Sequence, residues 1–115
     1  MAVRIEVQSE RATYPVVIGA GLTSRASDVF RAEGLDGSVV VVSCAPVWRL
    51  QGKRLRGLGG GKAPVLIADG ERAKTLATMS RLYDEFVRRG LDRSATIVAY
   101  GGGVVGDVTG FAAAT

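Results

Sequence analysis

Apolar positions fall in short bursts along this chain, and three of the bursts are aliphatic runs. Val39-Val40-Val41-Val42 is continuous, as expected of a strand buried on both faces of a parallel sheet; it predicts a strand over 38–43. Val65-Leu66-Ile67 predicts a second over 64–68, and Ile97-Val98-Ala99 a third over 95–100. Two earlier segments, 4–7 and 14–18, read as a hairpin turned by Arg11-Ala12-Thr13. Between the strands the period changes to that of a helix. Leu22, Ala26, Val29 and Phe30 share one face of a helix over 22–33, which starts near Thr23 or Ser24 and is stopped by Gly34. Pro46 suits the first turn of a helix running toward Leu58, although Gly52 and Gly57 weaken it. Leu76, Met79, Tyr83, Phe86 and Val87 form an apolar stripe on a helix over 71–89, capped by Gly90. Gly57 to Lys62 is a glycine-rich loop, and 108–115 is a small, apolar, helix-like run. The order β-β-α-β-(α)-β-α-β-α predicts an α/β fold: a Rossmann-like parallel sheet with right-handed crossovers, preceded by an N-terminal β-hairpin.

Composition narrows the functional classes. With 115 residues the chain is one domain at most, or part of one, and 47% apolar residues suit a globular core. No apolar run approaches the roughly 18 residues of a membrane span, and the N-terminus lacks a charged-then-apolar leader. Cys44 alone offers neither a disulfide nor a metal cluster, so a cytoplasmic protein with no membrane partner is expected. There is no histidine, which excludes a histidine base or histidine metal ligand within these residues. The net charge of +4 suits phosphorylated ligands as well as a merely basic surface. Arg49, Lys53, Arg54, Arg56 and Lys62 form a basic group, but without interleaved aromatics no nucleic-acid partner is expected.

Two motifs carry chemistry. Gly101-Gly102-Gly103-Val104-Val105-Gly106-Asp107 follows the last strand directly. Strand, glycine turn and helix together make a phosphate cradle: glycines permit positive φ and close backbone approach, and the helix N-terminus faces the anion. Asp107 is placed one turn into that helix, within reach of a ligand polar group. The second motif, Asp69-Gly70-Glu71-Arg72-Ala73-Lys74, follows the middle aliphatic strand. Asp69 is a candidate cap for the next helix. Glu71 and Lys74 are spaced for a surface ion pair or, at the carboxyl end of a parallel strand, for ribose hydroxyls and phosphate.

With both motifs one βα unit apart, the chain resembles the N-terminal half of the 3-dehydroquinate synthases, in the sugar phosphate cyclase superfamily. The resemblance rests on Asp69-Gly70-Glu71-x-x-Lys74, Gly90-Leu91-Asp92-Arg93, the glycine run with Gly110-Phe111-Ala112-Ala113, and Tyr14-Pro15-Val16-x-Ile18-Gly19. It implies a lyase of the shikimate pathway that converts the sugar acid phosphate DAHP to 3-dehydroquinate and phosphate. The family uses NAD as a transient oxidant and a divalent metal, Zn or Co. A hydroxyl is oxidised, phosphate leaves, the ketone is reduced again, and ring opening precedes an intramolecular aldol step. Carried over by position, the resemblance implies that Asp69, Gly70, Glu71, Arg72, Ala73 and Lys74 bind NAD, with Glu71 and Lys74 at the adenosine ribose side. Gly103, Val104, Val105, Gly106 and Asp107 hold the pyrophosphate and reach toward the nicotinamide, with Gly102 adjoining. The family's metal ligands, a glutamate and two histidines, belong to a C-terminal helical domain, so neither they nor any catalytic residue are expected here. The apolar, uncapped run ending at Thr115 agrees with an NAD-binding domain over 1–115 that is incomplete, from a homodimeric parent, and inactive alone.

Two departures stand out. Family members often carry Thr-Asp-x-Asn where this chain has Ser43-Cys44-Ala45-Pro46, which removes polar partners for the adenine end. Ala73 stands where many relatives have tyrosine. Other sugar phosphate cyclases, such as 2-deoxy-scyllo-inosose or valiolone synthases, share both motifs. Glycerol dehydrogenases tend to continue Asp-x-Ala-Lys, whereas Asp107 is followed here by Val108-Thr109-Gly110-Phe111, which favours the synthase. A non-catalytic nucleotide-binding module is the alternative from another class.

Overall fold

The computed structural model describes residues 2–35, 37–55 and 57–115; Arg56, in the basic group above, lies outside them, as do Met1 and Asp36. Strands β1 (Ala2–Gln8) and β2 (Thr13–Gly19) pair antiparallel, in register from Ala2↔Gly19 to Gln8↔Thr13. Their turn is closed by Ser9, whose N–H donates to the Ala12 carbonyl at 2.9 Å. Because strand side chains alternate, Val3, Ile5 and Val7 share a face with their partners Ile18, Val16 and Tyr14. All of these except Val7 are exposed. Arg4 ties the hairpin to the next helix through Glu33 at 2.5 Å.

The chain then makes a 3-10 turn, Thr23–Arg25, and helix α1 (Ala26–Ala32), which ends at the left-handed Gly34. Strand β3 (Val39–Cys44) follows, then α2 (Ala45–Gln51) with Pro46 in its first turn. Gly52–Leu55 forms a 3-10 continuation, and the segment expected as a loop carries a second 3-10 stretch, Leu58–Gly61, broken by non-helical Gly59 and Gly60. Strand β4 (Val65–Ile67), helix α3 (Leu76–Arg88), strand β5 (Thr96–Ala99) and helix α4 (Gly103–Ala114) complete the order.

The parallel sheet has the order β4-β3-β5. β3 pairs with β4 through Val42↔Val65 to Cys44↔Ile67 and with β5 through Val39↔Thr96 to Val42↔Ala99. Residues 40–44 of β3 are all buried, as its unbroken valine run requires. Val40, Val42 and Cys44 form one cluster with Met79 and Leu82 of α3 and Val105, Val108 and Ala112 of α4.

The stripe read on α3 is corrected in part. Leu76 is 85% and Val87 79% exposed, while Leu82, outside the expected stripe, is fully buried. The helix starts five residues later than expected, which leaves Leu76 in its exposed first turn.

Candidate functional site

The carboxyl ends of β4, β3 and β5 lie side by side with β3 in the middle. Both motifs leave from this end, one after β4 and one after β5. In open α/β sheets this is the end at which ligands bind.

After β4 the backbone passes through Gly70 at φ 84° and ψ −173°, a region essentially reserved for glycine. A 3-10 turn, Glu71–Ala73, follows and is closed by the Ala73 N–H to the Gly70 carbonyl at 3.0 Å. Asp69 therefore does not cap α3. Thr75 is the N-cap, and its hydroxyl accepts the Thr78 N–H at 3.1 Å. A hydroxyl at the N-cap satisfies an otherwise orphaned helix donor, and this fixes the start of α3 at Leu76. The 3-10 turn also turns Ala73 into the core, where it is completely buried. Arg72 braces the same turn by donating from Nε to the Asp69 carbonyl at 3.0 Å.

The glycine run after β5 differs from expectation in kind. Helix α4 begins at Gly103, so most of the glycine run is the helix's own first turn, not a turn ahead of a helix at Val108. None of its glycines has positive φ. They serve space. A Cβ at Gly101 would lie 2.8 Å from Val105 Cγ2, whereas at Gly102, Gly103 and Gly106 it would project into open space. Gly102 caps the helix without a side-chain hydrogen bond, leaving the first N–H groups of α4 bare toward the crevice. Val105 is buried and Val104 packs against the core, so these two anchor the turn from beneath.

The motifs meet at Lys74. Its Nζ lies 3.1 Å from Asp107 Oδ2 and 3.2 Å from Glu71 Oε2. Asp107 first and Glu71 second hold the Lys74 ammonium above its ordinary pKa of 10.5. The stabilisation from this pairing is therefore fully present below 10.5 and is lost as pH rises through the raised value. All three groups are well exposed to solvent, so salt screens them readily. Lys74 and Asp107 also border a cleft of about 370 Å³ between α3 and α4, with Thr75, Leu76, Met79, Val108 and Phe111.

The family model described as 3-dehydroquinate synthase N-terminal matches residues 64–115, which hold β4, β5, α3, α4 and both motifs. A 3-dehydroquinate synthase of Pelotomaculum thermopropionicum is 40% identical over 115 residues, covering 96% of this chain and 31% of the relative. That of Citrifermentans bemidjiense is 39% identical over 119 residues, covering 100% of the chain and 33% of the relative. That of Halorhodospira halophila is 41% identical over 103 residues, covering 90% and 28%. Over nearly its whole length the chain is similar to 3-dehydroquinate synthases, and over residues 64–115 to that family's N-terminal model. It spans about a third of the length of the curated relatives it matches.

Within the 3-dehydroquinate synthase pattern the matched segments divide by role. Gly90-Leu91-Asp92-Arg93 lies at the far end of the sheet. Gly90 is left-handed after α3, Leu91 packs on the core, and Asp92 accepts the Ser94 N–H at 2.9 Å to turn the chain into β5. Hydrogen bonds from Ser94 hold the Asp92 carboxyl below its ordinary value. That segment shapes the fold. At the crevice, Ser43 and Cys44 are buried at the end of β3, so neither presents a polar side chain to solvent there.

The donor set fits a dinucleotide. The bare first turn of α4 and the open positions at Gly102, Gly103 and Gly106 leave room for a pyrophosphate, and Glu71 and Lys74 supply an acceptor and a cation beside it. It does not fit a divalent metal. The sequence has no histidine, and no three Cys, Asp or Glu side chains gather in a ligand set among the described residues. No helix among them is long and apolar enough to cross a membrane.

Proposed function

We propose that this chain supplies the nucleotide-binding part of a 3-dehydroquinate synthase, the enzyme that converts DAHP to 3-dehydroquinate and phosphate. The observation that carries the reading is the convergence on Lys74 of two motifs from strands on opposite sides of β3. Bound NAD supplies a transient hydride acceptor. The chain's own residues bind and orient it. The N–H groups opening α4 face the pyrophosphate, and the Glu71 carboxylate accepts from ribose hydroxyls. Lys74 neutralises phosphate charge, exchanging one of its two carboxylate partners for the ligand. Asp107, one turn into α4, stands beside the phosphate-binding turn as an acceptor for a ligand hydroxyl or amide. The metal and its chemistry are assigned to residues outside this chain, which alone is expected to give no DAHP turnover. The whole enzyme is proposed to be a cytoplasmic homodimer.

The test is titration of the chain with NADH, followed by its fluorescence. Saturable binding is expected, weakened about tenfold or more by Lys74→Met, the loss of a charged hydrogen bond. Absence of saturable binding by the unaltered chain, or equal binding by Lys74→Met, overturns the reading.

A further inference from the structure

Ser43 is the one polar residue of β3, and it is completely buried. Its position gives the buried hydroxyl a partner. The β3–β5 pairing ends at Val42↔Ala99. One residue later, the Tyr100 N–H still donates to the Val42 carbonyl at 2.9 Å. No backbone N–H is bonded to the Tyr100 carbonyl among the described residues, the strand having given way to α2 after Cys44. Ser43 Oγ takes the donor's place, at 2.6 Å from that carbonyl.

Tyr100 is held at its side chain as well. Its hydroxyl donates to the Gln51 carbonyl at 2.9 Å, and its ring meets Trp48 edge-on at 6.4 Å. Trp48 is itself seated over Gly52, where a Cβ would come within 2.7 Å of the indole. The residue before the glycine run is thus fixed at its N–H, its carbonyl and its ring. A trans peptide is planar, with N–H opposed to C=O. Holding the Tyr100 carbonyl toward β3 therefore holds the Gly101 N–H away from it and sets the plane from which Gly102 and α4 depart.

We infer that Ser43 is a positioning residue: its hydroxyl fixes the Tyr100–Gly101 peptide and so aims the bare first turn of α4 at the nucleotide. The inference rests on the nucleotide reading proposed above. Ser43 does not touch the ligand and acts through Tyr100.

The experiment compares the unaltered chain with Ser43→Ala, Ser43→Thr and Ser43→Cys. It reads two signals, NADH affinity and the backbone amide resonances of Gly101, Gly102 and Gly103 in the unliganded chain. Ser43→Ala is expected to shift those amides, leave the β1 and β2 amides in place, and weaken NADH binding about fivefold to tenfold, the loss of one net hydrogen bond. Ser43→Thr keeps the hydroxyl and should restore both signals. Ser43→Cys keeps the size with a weak donor and should fall between them; it also serves if Ser43→Ala does not fold. Unmoved glycine amides in Ser43→Ala, or equal losses in Ser43→Ala and Ser43→Thr, overturn the inference. If the unaltered chain binds no NADH, the nucleotide reading fails, and the glycine amides still decide whether Ser43 sets the turn.

Discussion

The N-terminal hairpin and the parallel sheet are built from the same aliphatic residues and meet different surroundings. In β3, residues 40–44 are buried because both neighbouring strands and helices α3 and α4 close over them. In the hairpin, Val3, Ile5, Tyr14, Val16 and Ile18 line up on one face and stay exposed. Strand formation needs only the alternation and the turn. Burial needs a second layer, and in the sheet that layer arrives from helices far along the chain.

Leu82→Ala should separate the two regions most strongly. Leu82 is fully buried in the cluster beneath β3 and β4. Its truncation should cost about 2–5 kcal/mol by denaturant unfolding. A loss below about 1 kcal/mol would mean that the sheet is not the stabilising unit. Ile5→Thr, on the open face of the hairpin, should change stability by no more than about 0.5 kcal/mol in the same assay. A larger loss would show that the hairpin face is covered in solution.

The smallest effect is local and depends on acid. The Arg4 guanidinium holds the Glu33 carboxyl below its ordinary value of 4.5. That contribution is present above 4.5 and is lost as pH falls through the depressed value. Hydrogen exchange of the β1 and β2 amides should therefore lose acid-sensitive protection in Arg4→Met. The β5 amides, preceded by Asp92, should keep theirs. Equal acid responses in Arg4→Met and the unaltered chain would remove Arg4 as the tie.

How much of this was legible in the sequence follows the reach of each interaction. The valine run announces β3, Gly34 and Gly90 mark helix ends, and alternation gives the hairpin, although its turn lies at 9–12 and Thr13, expected in the turn, already belongs to β2; local sterics and periodicity decide these features. The start of α3 was misplaced. Glu71 and Lys74 sit three apart whether the backbone is α or 3-10, and the deciding signal is Thr75, whose hydroxyl accepts the Thr78 N–H. The role of the glycines was exchanged between motifs. Gly70 carries the left-handed backbone, while Gly101 to Gly106 give room. The Lys74–Asp107 bridge and the Ser43–Tyr100 bond were beyond sequence reading, since each joins segments that only the sheet order brings together.

That sheet order also bears on how the molecule comes to be folded. Ser43 and Tyr100 are 57 residues apart, yet their bond completes the end of the central strand. Closing a loop of that length carries a chain-entropy cost that grows slowly with length but must be met before the contact repays it. The crevice at the carboxyl ends of the strands needs both flanking strands, so it is complete only when this longer loop is closed.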